Sequence, residues 1–146
     1  MDGKSKTIVR SESSCVCGGV EVRVNGPVRS MILCACLDCQ RATGTGHSTV
    51  ALFKRDDVTV SGDTRAFTRP AASGATFTQR FCPVCGTAIC GASSRAEALV
   101  MLPVGLFGHD SDWFVPNQLI FARSHHDWDL IEAALPHHDT YRGETL

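Results

Sequence analysis

The chain has 146 residues, of which 43% are hydrophobic, and a formal net charge of −1. This length suits a single domain, and the composition excludes a disordered chain. The near-neutral charge gives no electrostatic case for nucleic acid.

In chain order, Met1–Lys6 reads as a frayed end. The opening stretch MDGKSKTIVR has no signal-peptide core, and no segment approaches transmembrane length, so a cytoplasmic protein without a membrane partner is expected. Thr7–Arg10 predicts a short strand. Val20–Asn25 alternates apolar and polar side chains and predicts a half-buried one, ended by the Gly26-Pro27 turn. Val28–Leu33 predicts a strand that delivers Cys34 to a loop. The segment CLDCQRATG is short and polar, and reads as a loop or a single helical turn. Strands are expected at His47–Phe53, in VTVSG after Asp56-Asp57, at Thr64–Arg69, at Ala75–Phe81, at Ala98–Val104 and at Leu119–Arg123. The one good helix is predicted near the end, capped by Asp127, with Trp128, Ile131, Ala134 and Leu135 on its apolar face and Pro136 after it. The tail HHDTYRGETL carries no structural signal. Many short strands and one terminal helix predict a mostly-β fold, with a single domain over residues 1–146 and a core of about 7–135.

Seven of the eight cysteines fall in three clusters: Cys15 and Cys17 in CVCGG, Cys34, Cys36 and Cys39 in CACLDCQ, and Cys82 and Cys85 in FCPVCG. In a reducing cytosol, clustered thiols point to metal rather than disulfides. Cys82 and Cys85 have the form of a zinc knuckle, in which Pro83 fixes φ and Gly86 tolerates the left-handed backbone that turns amides toward sulfur. Pairing them with Cys15 and Cys17 makes a closed four-thiolate structural site. Cys34, Cys36 and Cys39 supply three thiolates, and three ligands plus an open position is the pattern of a reactive zinc. Two zinc ions per chain are therefore expected. The competing readings are buried free cysteines for the outer pairs, and for the triplet a second structural zinc closed by a histidine or by Cys90. His47, after the Gly44/Gly46 turn, is a candidate proton carrier or fourth ligand, or a strand residue at a pocket edge. Cys90 reads as a small core residue. Arg41 is either an anion-binding residue or a solvated one. His125-His126 and His137-His138 read as surface pairs.

The order C-x-C-G, then C-x-C-x-x-C with Gln40-Arg41, then FCPVCGT resembles the glutathione-dependent formaldehyde-activating enzyme family, which includes centromere protein V; the resemblance spans about residues 13–135. It implies a β-tent fold of small antiparallel sheets with zinc knuckles. It implies the same division of zinc sites, with the reactive centre at Cys34, Cys36 and Cys39. It further implies a carbon–sulfur lyase-like enzyme that adds glutathione or a similar thiol to formaldehyde or another small aldehyde, or runs the reverse. The partners would be a small thiol and an aldehyde, with no nucleic acid. The alternative is a non-catalytic zinc-stabilised binding module, which would have two closed metal sites and an exposed apolar patch.

Overall fold

A computed structural model describes residues 7–142. The expected frayed end Met1–Lys6 and the last four residues of the tail lie outside them. The fold is mostly β. Strands β1 (Ile8–Ser14), β2 (Glu21–Pro27) and β5 (Val58–Ser61) form a three-stranded antiparallel sheet in the order β1-β2-β5. A seven-stranded sheet is built from β3 (Ser30–Cys34), β4 (Ser48–Lys54), β6 (Arg65–Pro70), β7 (Thr76–Phe81), β8 (Ala88–Ser93), β9 (Leu99–Pro103) and β10 (Gln118–Ile120). Its order is β10-β3-β4-β9-β8-β7-β6. Among the described residues every pairing between these strands is antiparallel except that of β10 with β3, which is parallel.

The alternation read in the sequence sets the faces. Val20, Val22 and Val24 are each about 1% exposed, while Glu21, Arg23 and Asn25 between them are exposed. They pack with Phe53, Ile89 and Leu102 in the main core, which also takes in Cys15 and Cys82. A smaller cluster of Leu33, Ala35 and Leu119, two of them flanking Cys34 in the chain, packs against Ile131 and Leu135.

The structure departs from the expected elements at three places. The only α-helix among the described residues is α1 (Leu37–Thr43), inside the segment read as a loop or a single turn. Cys36 is its N-cap: the Cys39 amide donates to Cys36 Sγ at 3.3 Å. Asp38 occupies the first turn and Arg41 the last, as the helix dipole favours. Gly44, at φ 74°, closes it in the left-handed conformation. The helix predicted after Asp127 does not form. Residues 127–135 run as turns, with the Asp129 amide donating to the His126 carbonyl and the Leu135 amide to the Glu132 carbonyl. The chain then continues extended beside β10, where Leu119 N–H donates to Pro136 O and His138 N–H to Leu119 O. A short amphipathic segment has little helical stability of its own, so pairing and packing against β10 outweigh its pattern.

The strand expected over Leu119–Arg123 is likewise cut at Ile120. Phe121 takes φ 56°, a left-handed conformation unusual for a bulky residue, and starts a 3₁₀ turn over Ala122–Ser124. Burial of Phe121, its edge-to-face contact with Tyr141 and the hydrogen bond its N–H donates to Thr140 O hold that bend. The bend sends residues 124–129 back toward α1.

Candidate functional site

The first thiol group forms where two hairpin ends meet. The β1–β2 turn carries Cys15 and Cys17, and the β7–β8 turn carries Cys82 and Cys85. All four sulfurs lie within 4.8 Å of one another. Each turn contains a left-handed glycine, Gly18 (φ 81°) and Gly86 (φ 78°). Backbone amides face the sulfurs: Val20 N–H donates to Cys15 Sγ at 3.3 Å and Val84 N–H to Cys82 Sγ at 3.4 Å. Thr87 ties the turns together, with its hydroxyl 3.1 Å from Cys85 Sγ and accepting from Val16 N–H at 3.2 Å.

The Cys15–Cys17 and Cys17–Cys82 sulfur separations are 3.6 and 3.7 Å. A tetrahedral zinc with bonds of about 2.3 Å sets its sulfurs about 3.8 Å apart, so the donor set fits zinc. The thiols also divide their protons unequally. Cys85 is held down to about 5, first by the Thr87 hydroxyl. Cys17 is pushed up to about 11: the Gly19 amide lowers it, but the neighbouring Cys15 and Cys82 thiols outweigh that. Four adjacent thiolates require a cation among them.

The second group holds Cys34, Cys36 and Cys39 within the same 4.8 Å limit. Cys34 ends β3 and is buried, whereas Cys36 and Cys39 flank the start of α1 and are half-buried. Among the described residues, no histidine, carboxylate or fourth cysteine joins the three. Cys90 lies elsewhere, half-buried in β8 against the main core, with its thiol raised by burial. The Cys36 thiol is lowered to about 2, chiefly because the Cys34 and Cys39 thiols donate to it, with help from the Cys39 amide and the charge of Arg69. Cys34 is raised by the same sharing and by burial. This set of three soft donors fits zinc with a coordination position to spare.

Polar residues from three segments meet beside α1 and the start of β4. His47 Nδ1 lies 2.6 Å from Asp129 Oδ2, and both side chains are largely buried. His125 Nε2 lies 3.4 Å from the same oxygen, but without hydrogen-bond alignment. Gln40 joins α1 to the segment after β10. Its amide donates to Ala35 O and Ser124 O, and its carbonyl accepts from His126 Nε2 at 2.8 Å. His126 stacks on Trp128 at 4.9 Å. His125 and His126 are therefore built into this region rather than free on the surface as read. Arg41 is exposed on α1. The arginine close to the triplet is Arg69 from β6, which reading along the chain did not single out. Asp129 was missed too, because it was assigned to a helix.

A family model described as "Glutathione-dependent formaldehyde-activating enzyme" matches residues 10–124. No curated protein matches the chain. A crystal structure of a Rhodobacter sphaeroides protein, a structural-genomics target, is similar with a TM-score of 0.54 and 17% identity, over 67% of this chain and 88% of that one. At that identity the likeness bears on the fold alone.

Proposed function

The chain belongs to the glutathione-dependent formaldehyde-activating enzyme family, and from that premise we propose that it adds a thiol, glutathione or a similar one, to formaldehyde or another small aldehyde, or splits the adduct. The observation that carries this reading is the unequal donor count, four thiols in one group and three in the other. A purely structural module would be expected to close both.

In the forward direction a sulfur–carbon bond forms and the carbonyl π pair moves onto oxygen. The proton that leaves sulfur ends on that oxygen, so nothing is oxidised or reduced. The reverse breaks the sulfur–carbon bond, as a carbon–sulfur lyase does. Cys15, Cys17, Cys82 and Cys85 would hold a structural zinc that joins the two hairpin ends. Cys34, Cys36 and Cys39 would hold the second. Zinc bound there with an open position supplies Lewis acidity and stabilises a thiolate at neutral pH. Cys36, as the N-cap of α1, keeps its sulfur directed at the helix amides. His47 is the proton carrier: with Nδ1–H donated to Asp129, Nε2 is the atom that takes the thiol proton and returns it to oxygen. Asp129 positions that ring. The reading places the protein in the cytoplasm, where small thiols stay reduced.

The test is NMR exchange spectroscopy of a thiol mixed with formaldehyde, with and without protein. The protein should accelerate exchange, and Cys36→Ser should abolish the acceleration. Exchange no faster than in buffer across a panel of small aldehydes and thiols would refute the proposal.

A further inference from the structure

Arg69 sits on β6, at the far edge of the seven-stranded sheet, directly across from Phe77 in register. Its guanidinium carbon lies 4.9 Å from the centroid of the Phe77 ring, so the ring face sets the plane of the fork. Phe77 can lie there because residue 91 is glycine: a Cβ on Gly91 would fall 3.0 and 3.1 Å from Phe77 Cε2 and Cε1, and closer still to Cζ. From this platform Arg69 Nη1 reaches Asp38 Oδ2 at 3.1 Å. Asp38 lies in the first turn of α1, two positions from Cys36. The Arg69 side chain is 20% exposed and that of Asp38 49%. An ion pair this open adds little to folding. What it does is hold a planar cation at the helix end that Cys36 caps, with one nitrogen engaged by Asp38 and its positive charge acting on the Cys36 sulfur.

Resting on the function proposed above, we infer that Arg69 is a specificity-determining residue of the three-cysteine site, receiving a carboxylate on the thiol substrate. Phe77 orients the guanidinium, and Asp38 is the internal anion with which that carboxylate competes. The substrate class is then a thiol carrying a carboxylate, in preference to a neutral thiol of the same size.

Two probes of similar length separate these cases: 3-mercaptopropionate, which carries a carboxylate, and 2-mercaptoethanol, which does not. Calorimetric binding of each to the zinc-loaded protein should show a preference for 3-mercaptopropionate. Arg69→Gln should weaken that probe about tenfold or more and leave 2-mercaptoethanol unchanged, the loss expected for a hydrogen bond to a charged group. Asp38→Asn should act in the opposite direction and tighten 3-mercaptopropionate, because it removes the competing anion. If the pair were only a structural clasp, both variants would shift both probes alike, and that result overturns the inference. Equal binding of the two probes by the wild type overturns it as well, while leaving the proposed reaction intact. Binding of neither probe by a wild type that still accelerates thiol–aldehyde exchange overturns this inference alone; absence of that acceleration as well removes the proposed reaction with it.

Discussion

Replacing Gly46 with alanine should separate His47 from Asp129 while sparing both thiol groups. Gly46 is buried and its φ is not left-handed, so an alanine backbone is allowed there. The space is not: a Cβ would lie 2.5 Å from Asp129 Cγ and 2.8 Å from Asp129 Cβ, where ordinary contact begins at 3.4 Å. The clash involves the base of the aspartate as well as its tip, so the side chain cannot simply rotate aside. A retreat of about 1 Å takes the 2.6 Å contact with His47 Nδ1 past useful hydrogen-bond length. Losing a hydrogen bond to a charged group costs about 1.5–3 kcal/mol, or roughly 5–10 °C of melting temperature for a chain of this size. The decisive measurement is long-range ¹H–¹⁵N NMR of the histidine rings. In the wild type His47 should show the tautomer protonated on Nδ1, and in Gly46→Ala a mixture. The rate of thiol–aldehyde exchange should fall about 10–100-fold with the tautomer, a partial loss of the roughly 10²–10⁴-fold that general acid–base catalysis contributes. If Gly46→Ala lowers the melt but leaves both tautomer and rate unchanged, Asp129 is a structural tether and His47 carries no proton.

The remaining predictions concern the metal sites and the core. Elemental analysis should find two zinc ions per wild-type chain and one in Cys36→Ser, which should stay folded; two ions in both would mean that Cys36 is not needed as a ligand. Cys82→Ser should be far more damaging, because a structural zinc contributes folding free energy directly and both Cys82 and Cys15 are almost fully buried. A strong chelator should therefore collapse the circular dichroism spectrum, and an unchanged melt would exclude a structural metal. Leu119→Ala should cost about 2–5 kcal/mol in chemical denaturation, because Leu119 is 0% exposed in the smaller cluster with Leu33 and Ala35. A cost below about 1 kcal/mol would show that the tail does not seal that cluster.

Much of the scaffold was legible because its signals are local. Strict alternation from Val20 to Val24 could bury only one face, and Gly86 could only mark a left-handed turn. The thiol groups were legible for a related reason. Cysteines one or two residues apart with a glycine beside them form half a site wherever the chain carries them, so Cys15 and Cys82 meeting across the fold required no knowledge of topology. The helix α1 was under-read because its cap is a cysteine, a residue weighed first as a metal ligand. Its Sγ accepts the Cys39 amide all the same, in the role a serine or aspartate would fill.

The residues that escaped reading are those whose role exists only across the fold. Asp129 lies 82 positions from His47, and Arg69 lies 31 from Asp38. No spacing rule connects such pairs. The misread segment shows why local reasoning failed here in particular. Trp128, which the expected helix would have placed on its apolar face, is 67% exposed. Ile131 and Leu135 still pack inward against Leu33, Ala35 and Leu119. An extended, turning path lets the segment do three things that one regular helix could not do together. It presents Asp129 to His47, stacks Trp128 on His126 beside Gln40, and delivers residues 136–138 to the edge of β10. The left-handed bend at Phe121 starts that path. The local helical preference therefore yields at the place where the chain must bring a carboxylate to the side of the cysteine helix. A conflict between local pattern and final fold is most expected at such a site.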